Sequence, residues 1–250
     1  MSTIALTATH AKYTLIETTR TPMAIIGSLV FPALALLFFV VPQRVVADDP
    51  VYATQAIVSM SVFSVMVGSL FSFGLNTAEA RQSPWDPYLR TLPAPGIARV
   101  LAQVLSTGLI TLVSLVPILI IGAIFTSASA TPLQVVLGLL AIAVAALPFM
   151  FLGLCIGYAF SMKAAIAIIQ VAFFALAFAG GLFLPPQILP GWLEVLSRFL
   201  PSRQAREFVI WAVQGGALEW WVPVGLAAWI VALLTLTLVL YRRDEGRRYR

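Results

Sequence analysis

Side chains that perform acid–base, nucleophilic or metal chemistry are scarce in this chain of 250 residues, which has one histidine, one cysteine and ten acidic residues. His10 precedes the first long apolar segment, whereas Cys155 lies inside a later one. An embedded hydrolase would need an Asp pair or a Ser–His pair, and a haem or metal site would need clustered ligands. The sequence offers neither set. We therefore expect no catalytic residue and no metal site, and we expect Cys155 to be a buried apolar residue.

The chain also lacks the parts of a pump that powers itself. No segment reads GxxxxGK[ST], the glycine-rich loop that holds nucleotide phosphates. Ionisable residues inside a membrane mark proton and ion paths, but the predicted spans given below contain none, and Gln170 is their most polar interior residue. If the protein moves a substrate uphill, a separate polypeptide must supply the energy and must bind this chain.

The composition indicates a lipid environment. Hydrophobic residues make up 60% of the chain and charged residues 10%, whereas a soluble domain carries about 25% charged residues. Six uncharged apolar segments are long enough to cross a bilayer as helices. We predict an all-α integral membrane protein whose six spans cover 23–41, 52–77, 100–125, 133–160, 164–184 and 222–241.

The distribution of basic residues predicts the orientation. Eleven Lys and Arg residues fall on the side of the N-terminus and four fall on the other side, so the positive-inside rule places both termini in the cytoplasm. This topology accounts for the net charge of +5, and we expect no nucleic acid partner. The chain forms one transmembrane domain, 1–250, whose other parts are a cytoplasmic N-terminal segment (1–21), a cytoplasmic loop (76–99), an outer segment (185–221) and a basic cytoplasmic tail (242–250).

The cytoplasmic loop contains a short helix signal. Asp86 is a good N-cap and Pro87 suits the first helical position, which predicts a helix of about two turns ending before Pro93. Apolar side chains such as Tyr88 and Leu89 would lie on one side of it. Two interpretations stay open from the residues alone: the helix docks into a partner, or it rests on lipid headgroups.

The outer segment is rich in proline. It follows a Gly180–Gly181 pair, and the stretch 188–200 has leucines near helical spacing, with Glu194 and Arg198 four residues apart. About twelve residues are too few to cross a core of about 30 Å but can lie within one leaflet. The stretch is therefore either a re-entrant hairpin or a plain interfacial helix.

Two stretches together resemble the permease subunits of type-2 ABC exporters, particularly the bacterial drug and antibiotic type. The first, "EARQSPWDPYLRTLPAPG", keeps Glu79, Arg81, Leu89 and Pro93 of the family's pattern but has Gln82 where a second acid is common. The second, "AGGLFLPPQILPGWLEVLSRFLPSRQAREFV", matches the family's fifth-span hallmark closely. In this order and topology the likeness covers essentially the whole chain.

The resemblance implies roles for particular residues. The coupling loop would dock into a separate ATPase subunit that binds ATP and Mg²⁺, while this chain itself holds no cofactor. The loop residues implied in that contact are Glu79, Arg81, Trp85, Tyr88, Leu89 and Arg90. A re-entrant hairpin would form the outer gate, and its implied residues are Gly180, Gly181, Pro185, Pro186, Pro190, Trp192 and Pro201.

The resemblance also implies an assembly and a cargo. Two permeases, identical or different, would pair in the bacterial plasma membrane through their first and fifth spans and form an apolar path. That path suits a hydrophobic or amphipathic substrate such as a drug, an antibiotic or a lipid. Alternatives are the export of a lipid-linked polysaccharide and a non-transporting anchor or sensor that docks a cytoplasmic partner.

Overall fold

The computed structural model describes residues 9–13, 15–16, 30–83 and 96–248, and within these ranges the chain is helical and contains no strand. The short stretches before residue 30 are not discussed further. The helices from residue 30 onwards are α1 (Val30–Val40), α2 (Arg44–Ala47), α3 (Pro50–Gln82), α4 (Gly96–Phe125), α5 (Pro132–Ala145), α6 (Leu147–Ala159), α7 (Met162–Ala179), α8 (Gly191–Ser197), α9 (Pro201–Gln214) and α10 (Trp221–Arg248). A 3₁₀ turn, Pro186–Ile188, precedes α8.

Five helical segments in the described ranges are long and apolar enough to cross a membrane. They are α3, α4, α7 and α10 together with α5 and α6, which run on as one segment, Pro132–Ala159. The predicted first span, 23–41, lies only partly within the described residues, and its described part, α1, is shorter than a span. The all-helical, multi-pass membrane architecture is thus confirmed, and five of the six predicted spans have a counterpart.

Helix α3 forms the centre of the bundle. Of the residues in its apolar window 67% are buried, against 22–33% in the other four spans. Met60, Phe63, Met66 and Leu70 are completely enclosed, and α3 packs against α4, α6, α7 and α9. The other spans bury one side on α3 or its neighbours and expose apolar side chains outwards, as helices in contact with lipid do.

Small residues let α3 and α6 pack closely. A Cβ added at Gly157 would lie 2.6 Å from the Gly74 carbonyl oxygen and 2.7 Å from Thr77 Cβ. A Cβ at Gly153 would lie 3.0 Å from the Leu70 carbonyl oxygen. Glycines that allow two backbones to approach are a general means of packing membrane helices, because lipid provides no hydrophobic drive between them.

Capping residues mark the starts of helices α5 and α3. The Thr131 side chain accepts a hydrogen bond from the backbone N–H of Gln134, and the Gln134 side chain accepts one from the backbone N–H of Thr131. This capping box confirms the predicted start of a helix at Pro132. Asp49 caps α3 in a similar way, accepting hydrogen bonds from two backbone N–H groups of the first turn.

The predicted end of the fifth span is wrong. Helix α7 ends at Ala179 rather than at residue 184. Gly181 adopts a φ of +73°, a left-handed conformation that favours glycine, and the Leu182 N–H donates to the Ala177 carbonyl at 3.0 Å. The glycine pair therefore ends the helix before the prolines are reached.

Two further boundaries differ from the predictions. Helix α3 continues to Gln82 and α4 begins at Gly96, so the predicted loop 76–99 is helical at both ends. Helix α10 continues to Arg248, so most of the predicted tail 242–250 is helical as well. The physical reason is packing: Thr77 and Ala78 are buried, which extends α3 beyond the point where its sequence becomes polar.

Replacing Gly157 with alanine tests the close packing of α3 and α6. We expect Gly157→Ala to lower the free energy of unfolding by about 1–3 kcal/mol, because the added methyl group overlaps the backbone of α3. Gly108→Ala is the matched control, since nothing lies within 4 Å of its added Cβ, and alanine there favours the helix by up to about 1 kcal/mol. Thermal unfolding of the purified protein in detergent measures both, and equal effects would contradict the packing account.

Candidate functional site

The candidate residues lie at two opposite ends of the bundle. We call the end where α3 finishes, near Gln82, the loop end, and the end where α3 begins, near Pro50, the hairpin end. Glu79 and Arg81 lie at the loop end, whereas Gly180 and the residues that follow it lie at the hairpin end. The remaining predicted loop residues, Trp85, Tyr88, Leu89 and Arg90, lie outside the described residues.

At the loop end, Arg81 joins three helices. Its Nε donates to Asp244 Oδ1 of α10 at 2.8 Å, and its Nη1 donates to the carbonyl oxygens of Gly157 at 2.8 Å and Phe160 at 3.2 Å, at the end of α6. The side chain of Arg81 is 24% exposed and that of Asp244 is 8% exposed. Arg81 thus fixes the point at which the chain leaves α3.

These contacts add a structural part for Arg81. The resemblance implies that Arg81 contacts an ATPase, and the structure shows that its guanidinium also has partners inside the chain. Glu79 is exposed on the last turns of α3 and remains accessible to a partner. The contact of Asp244 with Arg81 was not predicted, because the sequence analysis placed Asp244 in a tail and not on a packed helix.

At the hairpin end, the turn after α7 is held against α9. The Ser202 Oγ donates to the Leu176 carbonyl oxygen at 2.7 Å. A Cβ added at Gly180 would overlap both of these groups, so only glycine fits this position. Gly180 and Gly181, both predicted for the outer gate, therefore form the bend that leads the chain from α7 towards α8 and α9.

The prolines of the predicted gate each lie at the start of a short element. Pro185 and Pro186 introduce the 3₁₀ turn, Pro190 directly precedes α8, and Pro201 is the first residue of α9. A backbone N–H in the first turn of a helix has no partner within the helix. Proline, which lacks this N–H, therefore suits these places.

Helix α8 exposes an apolar surface. Trp192 is 71% exposed, and Val195, Leu196 and the following Phe199 are exposed as well. Glu194 and Arg198 form the predicted ion pair at 2.9 Å. The surface of a short helix with this composition matches a position in contact with lipid, either at the interface or within one leaflet.

Helix α9 buries two arginines, and the sequence analysis missed this. It counted Arg203 and Arg206 among the four basic residues of the outer side without predicting their burial, and they are only 9% and 4% exposed. Arg206 Nη1 donates to Glu207 Oε1 at 2.6 Å and its Nε donates to Ser59 Oγ of α3 at 2.8 Å. Arg203 Nε lies 2.9 Å from the same Glu207 oxygen. Burial lowers the pKa of both guanidinium groups, and Glu207 opposes that shift.

A signal for this cluster is present in the sequence. Arg203, Arg206 and Glu207 are three and four residues apart, so a helix starting at Pro201 would bring them to one side. The prediction failed because the helical stretch was ended at Leu200, before α9 begins. Cys155, by contrast, is buried as expected, with its Sγ 3.2 Å from Thr237 Oγ1.

A small, partly open cleft of about 50 Å³ lies beside Arg206 at the hairpin end. It lies between α1, the first turns of α3 and the segment that follows α7. Its polar lining comprises Gln43, Tyr52, Gln55, Ser59, Gln187 and Arg206, and its apolar lining includes Phe39, Val40, Leu182, Phe183 and Pro185. The lining thus offers hydrogen bonds and a positive charge together with apolar contacts.

Comparisons with known proteins relate the chain to transport proteins. The pattern of a family described as ABC-2 type transporter matches residues 6–213 of the chain, more than half of its length. A protein of Bacillus subtilis (strain 168) that carries the provisional name transport permease YvfS is 28% identical over 228 residues. The aligned region covers 91% of this chain and 93% of that protein.

Substituting Asp244 tests the contacts of Arg81. We expect Asp244→Asn to lower the free energy of unfolding by about 1–3 kcal/mol, because it removes the carboxylate charge that Arg81 contacts at 2.8 Å. Asp48→Asn is the matched control, since the Arg44–Asp48 pair is exposed and such pairs contribute less than about 1 kcal/mol. Chemical denaturation in detergent measures both variants, and a loss for Asp244→Asn no larger than the control's would show that the contact is dispensable.

Proposed function

The chain belongs to the ABC-2 type transporter family, and from that premise we propose that it is the permease subunit of an ATP-driven exporter for a hydrophobic or amphipathic substrate. The observation that carries the proposal is the family match together with a multi-pass helical bundle. The substrate class, the partner subunits and the orientation belong to the proposal. A drug, an antibiotic or a lipid fits the apolar character of the bundle.

A second permease would pack on the surfaces of α1 and α7. On α1, Phe38 and Phe39 are 68% and 53% exposed, and on α7, Phe174 and Phe178 are about half exposed. Phe39 and Phe178 both contact Phe183, at ring-centroid distances of 5.6 and 5.0 Å. The two surfaces therefore adjoin each other, and a dimer built on them would enclose a path lined by aromatic side chains.

The separate ATPase would act on the permease at the loop end. The segment that joins α3 to α4 has its start fixed by Arg81, so a force applied there would be transmitted to α3, α6 and α10 together. A separate ATPase would bind ATP and Mg²⁺ and contact this segment through Glu79, Trp85, Tyr88, Leu89 and Arg90. In this scheme Arg81 positions the segment rather than contacting the ATPase.

The hairpin end would form the outer gate. Helices α8 and α9 pack against α7 and α10, and the Trp229 Nε1 of α10 donates to the Phe199 carbonyl oxygen at 2.8 Å. The exposed apolar side chains of α8 would then lie in the outer leaflet. A rotation of one permease against the other would move these helices as a unit and open the path.

Purification from the native membrane tests the ATPase partnership. We expect the tagged chain to co-purify in mild detergent with a stoichiometric protein that contains a phosphate-binding loop, identified by mass spectrometry. The double variant Tyr88→Asp, Leu89→Asp should lose at least about 90% of that partner, because charges at an apolar contact disrupt docking.

Val45→Asp is the control for this experiment. Val45 is 85% exposed at the hairpin end, so this variant should leave the partner bound. A folded wild-type chain that reproducibly purifies alone would contradict the exporter and favour a non-transporting anchor. A partner retained by the double variant would contradict only the docking segment.

Cysteine labelling tests the orientation. In a Cys155→Ala background, we expect Gln187→Cys to react with an impermeant maleimide in intact cells, because Gln187 is exposed at the hairpin end. Glu79→Cys, exposed at the loop end, should react only after the membrane is permeabilised. The reverse pattern would invert the proposed topology.

A further inference from the structure

The buried charges of α9 are not balanced. Arg203 and Arg206 share a single carboxylate, Glu207, so the cluster carries one excess positive charge. In the part of the chain that the structure describes, no other carboxylate forms an ion pair with Arg206. A charge removed from water is costly unless it is paired. The described part of the chain therefore does not neutralise the charge of this cluster.

Arg206 brings part of this charge to the cleft, whereas Arg203, whose Nη1 is buried without a hydrogen-bond partner, does not line it. Arg206 lines the cleft and uses Nε and Nη1 on Ser59 and Glu207. Its third nitrogen, Nη2, has no hydrogen-bond partner among the described residues. Gln43, Tyr52, Gln55 and Gln187 surround the same space with side chains that can donate hydrogen bonds.

The apolar residues of the cleft lining suit an apolar chain. Phe39 and Val40 of α1 and Phe183 beyond α7 line it, and the outward surface of α1 beside them is exposed. In the isolated chain, a ligand whose head reaches Arg206 could thus place its tail along this exposed apolar surface of α1. A small inorganic anion would use the polar lining residues and leave the apolar ones without contact.

We propose that the cleft binds the anionic head, a phosphate or a carboxylate, of an amphiphile through Arg206, with the tail lying along α1. Guanidinium groups bind such oxyanions with short, charge-assisted hydrogen bonds. The identification of this amphiphile as cargo rests on the proposed function. The binding site itself does not, because its occupancy can be measured in the isolated chain.

Titration of the purified full-length chain tests the site. The chain is held in a neutral maltoside detergent, and the bound probe is counted by native mass spectrometry. The probes are dioctanoyl phosphatidic acid, the uncharged dioctanoylglycerol with the same tails, and sodium phosphate. We expect saturable binding of the phosphatidic acid, with at least about tenfold weaker binding of the other two, since each lacks either the charge or the tail.

The variants assign the binding to Arg206. Arg206→Gln should weaken phosphatidic acid binding at least about tenfold, and Arg206→Lys should restore part of it because the charge returns without the planar fork. Arg198→Gln is the matched control: Arg198 is a half-exposed arginine of the same segment, paired with Glu194, and its loss should change the affinity by less than about twofold.

A second pair of variants keeps the test valid if Arg206→Gln does not fold. Gln43 is exposed in the cleft lining, so its substitution leaves the packed core intact. Gln43→Glu should weaken phosphatidic acid binding several-fold and Gln43→Lys should not weaken it, because the two introduce charges of opposite sign beside the anionic head. Gel filtration of each variant confirms the fold before titration.

The outcomes separate the possibilities. Equal binding by wild type, Arg206→Gln and Gln43→Glu, or no saturable binding at all, would overturn the proposal. Sodium phosphate binding as tightly as phosphatidic acid would overturn the amphiphile and leave a free-anion site. Dioctanoylglycerol binding equally well would overturn the role of the charge. A missing ATPase partner would contradict the proposed function without affecting any of these titrations.

Discussion

The burial of α3 is the constraint on which the rest of the bundle depends. This helix gives up its contact with lipid on most sides, and α4, α6, α7 and α9 all pack against it. Lipid is as apolar as the side chains, so shape and close approach must hold such a helix in place. Gly74, Gly153 and Gly157 provide that approach on the side of α6. A sequence with larger residues there would have to separate the two helices.

Helix α3 also receives the polar contacts at both ends of the bundle. Its Arg81 reaches α6 and α10 at the loop end, and its Ser59 accepts the Nε–H of Arg206 at the hairpin end. Hydrogen bonds to charged groups contribute more than neutral ones and fix geometry. One rigid central helix thus links the segment proposed to meet an ATPase with the cleft proposed to meet an anionic ligand. Movement of α3 would therefore displace both the segment at the loop end and the cleft at the hairpin end.

The hairpin end shows how prolines and glycines direct a chain that has nearly crossed the bundle. Gly181 supplies the left-handed turn, Gly180 allows α9 to approach, and Pro186, Pro190 and Pro201 start the short elements that follow. The last carbonyl groups of α7 have partners in this bend: the Leu176 carbonyl accepts from the Gly180 N–H and the Ser202 hydroxyl, and the Ala177 carbonyl accepts from the Leu182 N–H. The same geometry brings Arg206 to the edge of the cleft.

The sequence by itself determined that the protein is a helical membrane protein, and it predicted most spans, the helix start at Pro132 and the Glu194–Arg198 pair. These follow from hydropathy, capping residues and spacing, which are local properties. Only the tertiary structure decided that Arg81 meets Asp244, that α3 is central and that Arg203 and Arg206 are buried. Such facts depend on which helices become neighbours, and apolar periodicity is nearly uninformative about neighbours when lipid and protein offer the same apolar surroundings.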